Sequence, residues 1–571
     1  MENPERVTYF GATDARGKRV PFGIKAKDRA RHMYVIGKTG MGKSTLLENM
    51  AIQDIRNGEG LAFIDPHGSA VDKLLDFIPA ERVKDVVYFA PFDLDNPIAF
   101  NVMEDVGYDK RHLVVSGLMA TFKKIWVDAW SARMEYILTN TLLALLEYPG
   151  ATLLGVNRMY TDKNYRKKVV DNIKDPVVKS FWTDEFANYG DRYTQEATPA
   201  IQNKIGQFTS NPLIRNIIGQ EHSSFDIRDL MDTRKILIIN LSKGLVGDTN
   251  MKLLGSMLTT RIFLGAMSRA NLPAHELAKA PNFYFYVDEF QNFANESFSE
   301  ILSEARKYHL NLLIAHQYVA QMEEEVQAAV FGNVGTTVTF RVGPLDAELL
   351  EKVFTREFLQ EDLVNLGFAQ IYLSLMIDGI GSRPFSAVTI PPIEAPARSY
   401  RDEVIANSRM QFARPRAGIE GMIFKELAEA AEEAAANHKA ASSSGQSKGP
   451  AQKYGQGSSR PPVRREERPE APAPIREQLR PAPPRERLER PQSPSGAKSA
   501  ADLKAILRAT VANAEKAKDT KERGKQDSLK GALKNVQAPV PQPSSRETNL
   551  PKPDAVFEVP EETLRSLFKD V

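Results

Sequence analysis

The sequence predicts an α/β protein with a parallel central sheet, an all-α insertion and a disordered C-terminal tail. Three observations lead there. Short apolar runs alternate with amphipathic stretches before residue 104 and again over 226–400. Between them, over 105–225, strand patterning gives way to helical spacing, clearest at Met134, Ile137, Leu138, Leu142, Leu145 and Leu146. Finally, 440–550 is rich in Pro, Ser, Gln, Arg and Lys and poor in large apolar residues, too little to offset the entropy of ordering.

The chain has 571 residues, too many for one ordinary domain. Its 75 Lys+Arg nearly balance its 73 Asp+Glu, so net charge alone argues neither for nor against a polyanionic partner. There are no cysteines, which excludes disulfides and thiolate metal sites, and the eight histidines form no ligand cluster. No apolar run reaches the roughly 18 residues that a membrane span needs, and Met1–Arg6 has no signal-peptide character. A soluble, cytoplasmic protein is expected.

In order, His32–Ile36 reads as a buried strand, Gly37-Lys38-Thr39-Gly40-Met41-Gly42-Lys43-Ser44 as a phosphate-binding loop, and Thr45–Ile52 as the helix that follows. The glycines let successive N–H groups turn toward phosphates, and the helix N-terminus adds partial positive charge. Lys43 is expected to reach the β- and γ-phosphates and Ser44 to ligate Mg2+. Gly60–Asp65 and Val86–Phe89 are further strands. After the helical stretch, strands resume at Lys235–Leu241, Phe283–Val287, Leu310–Ala315 and Thr336–Phe340. A last α/β segment closes near 400, and a C-terminal helical piece, 401–439, leads out through an Ala/Glu-rich helix at 422–437.

Phe283–Val287 runs into Asp288-Glu289, the pattern of a Walker B strand with paired carboxylates. Asp288 is expected to hold Mg2+ through coordinated waters, and Glu289 to orient or activate the attacking water. Asp65 also ends an apolar strand; it either supports the metal and phosphates or makes a structural turn before Pro66. Gln317, just past Leu310–Ala315, is placed to sense the γ-phosphate, with His316 packing beside it. Arg306, eleven residues before Gln317, suits an arginine finger for a neighbouring subunit, with Arg341 as substitute. Lys243 is either a pore-loop cation or a surface lysine.

With these pieces placed, the chain resembles the HerA/FtsK-like branch of P-loop ATPases and, within it, the coupling proteins of type IV secretion and conjugation. The resemblance covers about 5–400 and rests on Gly37–Ser44, Ile64-Asp65-Pro66-His67-Gly68, Asp288-Glu289-Phe290-Gln291-Asn292 and the Arg306-to-Gln317 spacing. It implies a RecA-like core in a hexameric ring that threads DNA through a pore, with ATP between subunits and the arginine in trans. The 105–225 stretch is similar to the helical domain that receives DNA or relaxosome components. Coupling proteins typically carry N-terminal transmembrane helices, whereas this sequence begins almost at the motor strand. Either partners hold it at the inner face of the membrane, or it is a soluble HerA-like translocase. The guanine-recognition signature Asn-Lys-x-Asp is absent, so ATP is the expected fuel. A packaging or protein-secretion ATPase and a nucleotide-switched scaffold are the competing readings.

In the tail, Leu503–Arg508, Leu529–Lys534 and Leu564–Lys569 share one pattern of leucine, base, two residues, an apolar residue and a base. It suits short helices docking into a partner's groove, with 551–571 as a terminal interaction motif, or else charge that grips DNA.

Overall fold

Runs of two to seven residues, most of them apolar, supply the strands, and their burial pattern sets the architecture. In the computed structural model these are β1 (Val7–Thr13), β2 (Pro21–Lys25), β3 (Met33–Ile36), β4 (Gly60–Asp65), β5 (Val86–Phe89), β6 (Ile236–Asn240) and β7 (Phe283–Val287). β8 (Leu310–His316), β9 (Thr336–Thr339), β10 (Gln370–Ser374), β11 (Met376–Ile377), β12 (Ile380–Gly381) and β13 (Phe385–Thr389) follow. The structure describes residues 3–429 except 15–17, 105, 190, 295–296, 355–356 and 427. The tail readings over 440–550 and 551–571, with Leu503, Leu529 and Leu564, lie outside the described residues, as does most of the helix expected at 422–437.

An 11-stranded sheet runs β2-β1-β13-β10-β9-β3-β8-β7-β4-β6-β5. From β9 to β5 every pairing is parallel. Strands β3, β4, β6, β7 and β8 are buried along their whole length, as expected of parallel strands covered on both faces. Side chains alternate between two cores. Met33 and Val35 face one together with Leu46, Leu47 and Met50 of the helix Lys43–Arg56. Tyr34 and Ile36 face the other, shared with Val114, Phe122 and Leu142.

β10, β13, β1 and β2 extend the sheet by antiparallel pairing beyond β9. They are only partly buried and β1 carries a register shift at Tyr9/Gly11, so their alternation is weak in sequence. Between β5 and β6 the chain is helical, from Arg111–Ile125 and Ala132–Glu147 to Asp191–Thr209, Pro212–Ile218 and Ile227–Asp232. The breaks between these helices have local causes. The side chains of Ser131, Asp162, Asp175 and Asn211 each accept first-turn N–H groups, and Pro176 and Pro212 open their helices. Trp182 donates to Asn140 O at 3.3 Å, Trp130 to Glu135 Oε2 at 2.8 Å, and Trp126 packs on Phe122 and Phe208. Among the described residues, no helix is long and apolar enough to cross a membrane.

Candidate functional site

The carboxyl ends of β3, β8 and β7 lie side by side, which is where an open α/β sheet offers its ligand crevice. From β3 the chain enters the loop predicted to bind phosphate. Gly37 N–H donates to His316 O (3.2 Å) and Lys38 N–H to Arg341 O (2.8 Å), so the loop is tied to both flanking strands. A Cβ at Gly37 would stand 2.5 Å from Phe340 Cβ, so this contact admits only glycine. Gly40 (φ 77°) and Gly42 (φ 114°) take the left-handed turns that curl the loop into the first turn of the helix Lys43–Arg56. Thr45, in that first turn, is half-buried, as is Met41.

Lys43 is buried, and its Nζ donates to Gly37 O at 2.7 Å and Lys38 O at 3.4 Å. Burial pulls its pKa down, against the opposing pull of Glu289 and Asp288. Ser44 Oγ donates to Asp288 Oδ2 at 2.8 Å. Asp288 is buried, and its pKa rises to about 6, mainly through desolvation, with Asp65 and Glu289 adding repulsion while hydrogen bonds from Ser44 and the Glu289 amide oppose the rise.

Glu289 adopts a left-handed conformation (φ 48°), uncommon for a residue with a side chain and of a kind that clusters at functional sites. Its Oε1 accepts from Gln317 Nε2 and its Oε2 from Gln291 Nε2 at 2.5 Å. Gln317 in turn accepts from Thr39 Oγ1 at 2.9 Å, so it bridges the phosphate loop and the carboxylate. His316 is buried, 3.2 Å from the Tyr34 hydroxyl, with its pKa pressed to about 3 by burial; it packs, as expected.

The remaining predicted residues are placed as follows. Asp65 accepts the N–H groups of His67 (2.7 Å) and Ala70 (2.9 Å), making the turn, and its charge also acts on Asp288. Lys243 is a surface lysine 2.7 Å from Asp248. Arg306 is exposed in the turn Ala305–Tyr308, ahead of β8, at the opposite edge of the sheet from the loop of its own chain. Arg341 is half-buried, and its carbonyl holds Lys38.

Two residues escaped the sequence reading. Gln291 sits inside a quoted motif, yet nothing marked its amide as a partner of Glu289. Lys124, in the helix Arg111–Ile125, donates to Gln291 O (2.8 Å) and to Ala294 O, and burial lowers its pKa to about 8. Its partners are backbone carbonyls, which leave no sequence signal.

Such an arrangement suits a triphosphate: amides and a lysine around a glycine-rich turn, then a hydroxyl and carboxylate pair, then a second carboxylate between two amides. The family model described as type IV secretion-system coupling protein DNA-binding domain matches residues 18–370. Among solved structures, the chain is similar to the bacterial conjugative coupling protein TrwB, unbound, at 15% identity and TM-score 0.49, covering 71% of this chain and 91% of that one. TrwB in complex with ADP and Mg2+ gives 14%, 0.49, 70% and 92%. VirB4 of Thermoanaerobacter pseudethanolicus gives 13%, 0.41, 71% and 99%. No curated protein sequence matches significantly. The family match takes in the phosphate loop, Asp288, Glu289 and Gln317 and spans more than half of the sequence, and so the chain belongs to the type IV secretion-system coupling protein family.

Proposed function

We propose that this chain is an ATP-hydrolysing motor that moves DNA, working as a homo-oligomeric ring, most simply a hexamer. The observation that carries it is the meeting of Ser44 and Asp288 at 2.8 Å with Glu289 and Gln317 alongside. The residues fit a divalent cation: Asp288 is a buried carboxylate that accepts from the Ser44 hydroxyl, and a hydroxyl and a carboxylate are the hard donors that Mg2+ takes. Ser44 and Asp288 would hold it, and when bound it neutralises charge on the phosphate oxygens. Residues Gly37–Thr45 receive the phosphates on loop amides and the helix N-terminus, and Lys43 compensates the γ-phosphate charge.

Glu289, fixed between two amides, orients a water for in-line attack at the γ-phosphorus and takes its proton as the bond to the bridging oxygen breaks. Gln317 joins Thr39 to Glu289 and so links the loop's state to the position of the base. Arg306 completes a neighbour's site. In this reading 1–104 and 226–400 form the motor, 105–225 receives DNA or relaxosome and secretion partners, and partners hold the protein at the inner face of the membrane.

ATP turnover with and without double-stranded DNA tests this. Stimulation by DNA, abolished in Lys43→Ala, supports the motor. Turnover indifferent to DNA favours a packaging or protein-secretion ATPase, and binding without turnover favours a nucleotide-switched scaffold.

A further inference from the structure

On its outer side the phosphate loop is braced by a second segment. Ala369 N–H donates to Met41 O at 3.3 Å, while Ala369 O accepts the N–H of Thr389 at 2.9 Å and its hydroxyl at 3.4 Å. Ala369 is itself held in the left-handed region, φ 60°. Two residues further back, Gly367 N–H is bound by Gln370 Oε1 at 2.8 Å. Phe368 stands between these fixed neighbours, and 74% of its surface is exposed.

β10 runs antiparallel to β9, so its leading residues lie at the carboxyl edge of the parallel strands, the edge that holds the loop. A nucleotide with its phosphates in Gly37–Ser44 carries its base one ribose away, beside the loop. A water-exposed aromatic ring, carried on backbone whose next residue is hydrogen-bonded to Met41, offers a planar face at that place, and such a face gains most from covering a planar base.

We infer that Phe368 is the stacking platform for the nucleobase, an assignment that rests on the nucleotide reading of the Gly37–Ser44 loop. Gln370 Oε1 is committed to Gly367 and the Thr389 hydroxyl to Ala369. Stacking on a ring face takes either purine, so ATP and GTP depend on Phe368 alike.

Steady-state kinetics of the full chain with ATP and with GTP, with inorganic tripolyphosphate as a base-free competitor, test this. Phe368→Ala raises KM for both nucleotides roughly tenfold with kcat at saturation retained, Phe368→Trp restores KM, and inhibition by tripolyphosphate is unchanged. An unchanged KM overturns the assignment. So does parallel weakening of tripolyphosphate, which would mean that Phe368 only braces the loop. Sedimentation closes the remaining route: if Phe368→Ala dissociates the ring and KM rises only with dissociation, the ring contacts a subunit and not a base. A wild-type chain that neither binds nor hydrolyses nucleotide sinks the underlying reading itself, before any variant is compared.

Discussion

Ser44 Oγ donates to Asp288 Oδ2 at 2.8 Å, joining residues 244 positions apart across the carboxyl edge of the sheet. The carboxylate at the acceptor end is poorly solvated, and desolvation, with Asp65 and Glu289 adding to it, lifts its pKa from 3.8 to about 6. A carboxyl raised on folding contributes stability that is fully present below its unfolded pKa and is lost as pH rises through the folded one. Metal-free protein should thus lose stability on the order of 2 kcal/mol between about pH 4 and pH 6 from this group. Asp288→Asn should abolish that loss in pH-dependent unfolding. Because Mg2+ needs the ionised form, its binding should release protons at about pH 5 and none by about pH 8. Calorimetry in buffers of different ionisation enthalpy measures this, and proton release independent of pH would exclude Asp288 as the ligand.

Glu289→Gln should leave nucleotide binding intact and slow hydrolysis roughly 10²- to 10⁴-fold, the usual contribution of a positioned base. The backbone of the phosphate loop keeps its ties to His316 and Arg341. The new side chain keeps one oxygen, so of the Gln317 and Gln291 amides only the one that meets its NH2 must reorient. Fluorescent-nucleotide titration beside single-turnover hydrolysis separates the two effects. Loss of binding would make Glu289 a structural residue.

The parts of this site legible in sequence are those written as short patterns at strand ends. Gly37–Ser44, Asp288-Glu289 and Gln317 each follow an apolar run, and those runs are continuous because β3, β7 and β8 are buried on both faces. What stayed hidden depends on partners that sequence does not name. Asp65 could serve a metal or a turn, and the His67 and Ala70 amides that make the turn with it leave no side-chain signal in the sequence. The half-buried strands β1, β2, β10 and β13 alternate too weakly to be told from loop, and with them went Phe368 and the brace on Met41.

Lys124 should couple the helical stretch to Glu289. It satisfies the carbonyls of Gln291 and Ala294, in the turn that begins at Glu289. Lys124→Met leaves those carbonyls buried without a donor, so unfolding stability should fall by about 1–3 kcal/mol. Hydrolysis should slow more than nucleotide binding weakens, and Lys124→Arg should recover part of both. Denaturant melts and a kcat-against-KM comparison read this; equal loss in kcat and affinity would point to a general collapse of the fold.

Arg306 and Gln317 flank the same strand at opposite ends. At about 3.3 Å per residue, β8 separates them by roughly 20 Å, so Arg306 cannot reach the phosphates bound by its own chain. If it acts in catalysis it acts on a neighbour, around a heterologous ring. Arg306→Ala rings should then lose roughly a thousandfold or more in turnover, as removal of an arginine finger does. Lys43→Ala rings should be inactive for a different reason. Mixed rings are the decisive sample: wherever an Arg306→Ala subunit supplies an intact Lys43 to an interface at which a Lys43→Ala subunit supplies an intact Arg306, activity returns. Arg341 provides the control. Arg341→Ala keeps the backbone carbonyl that holds Lys38 of its own chain, so it tests the side chain alone; a side chain acting in cis cannot be complemented, because no subunit in an Arg341→Ala and Lys43→Ala mixture carries both groups. Rescue with Arg306 and none with Arg341 places the finger in trans. Verified mixed rings that stay silent with Arg306 would remove it from the site.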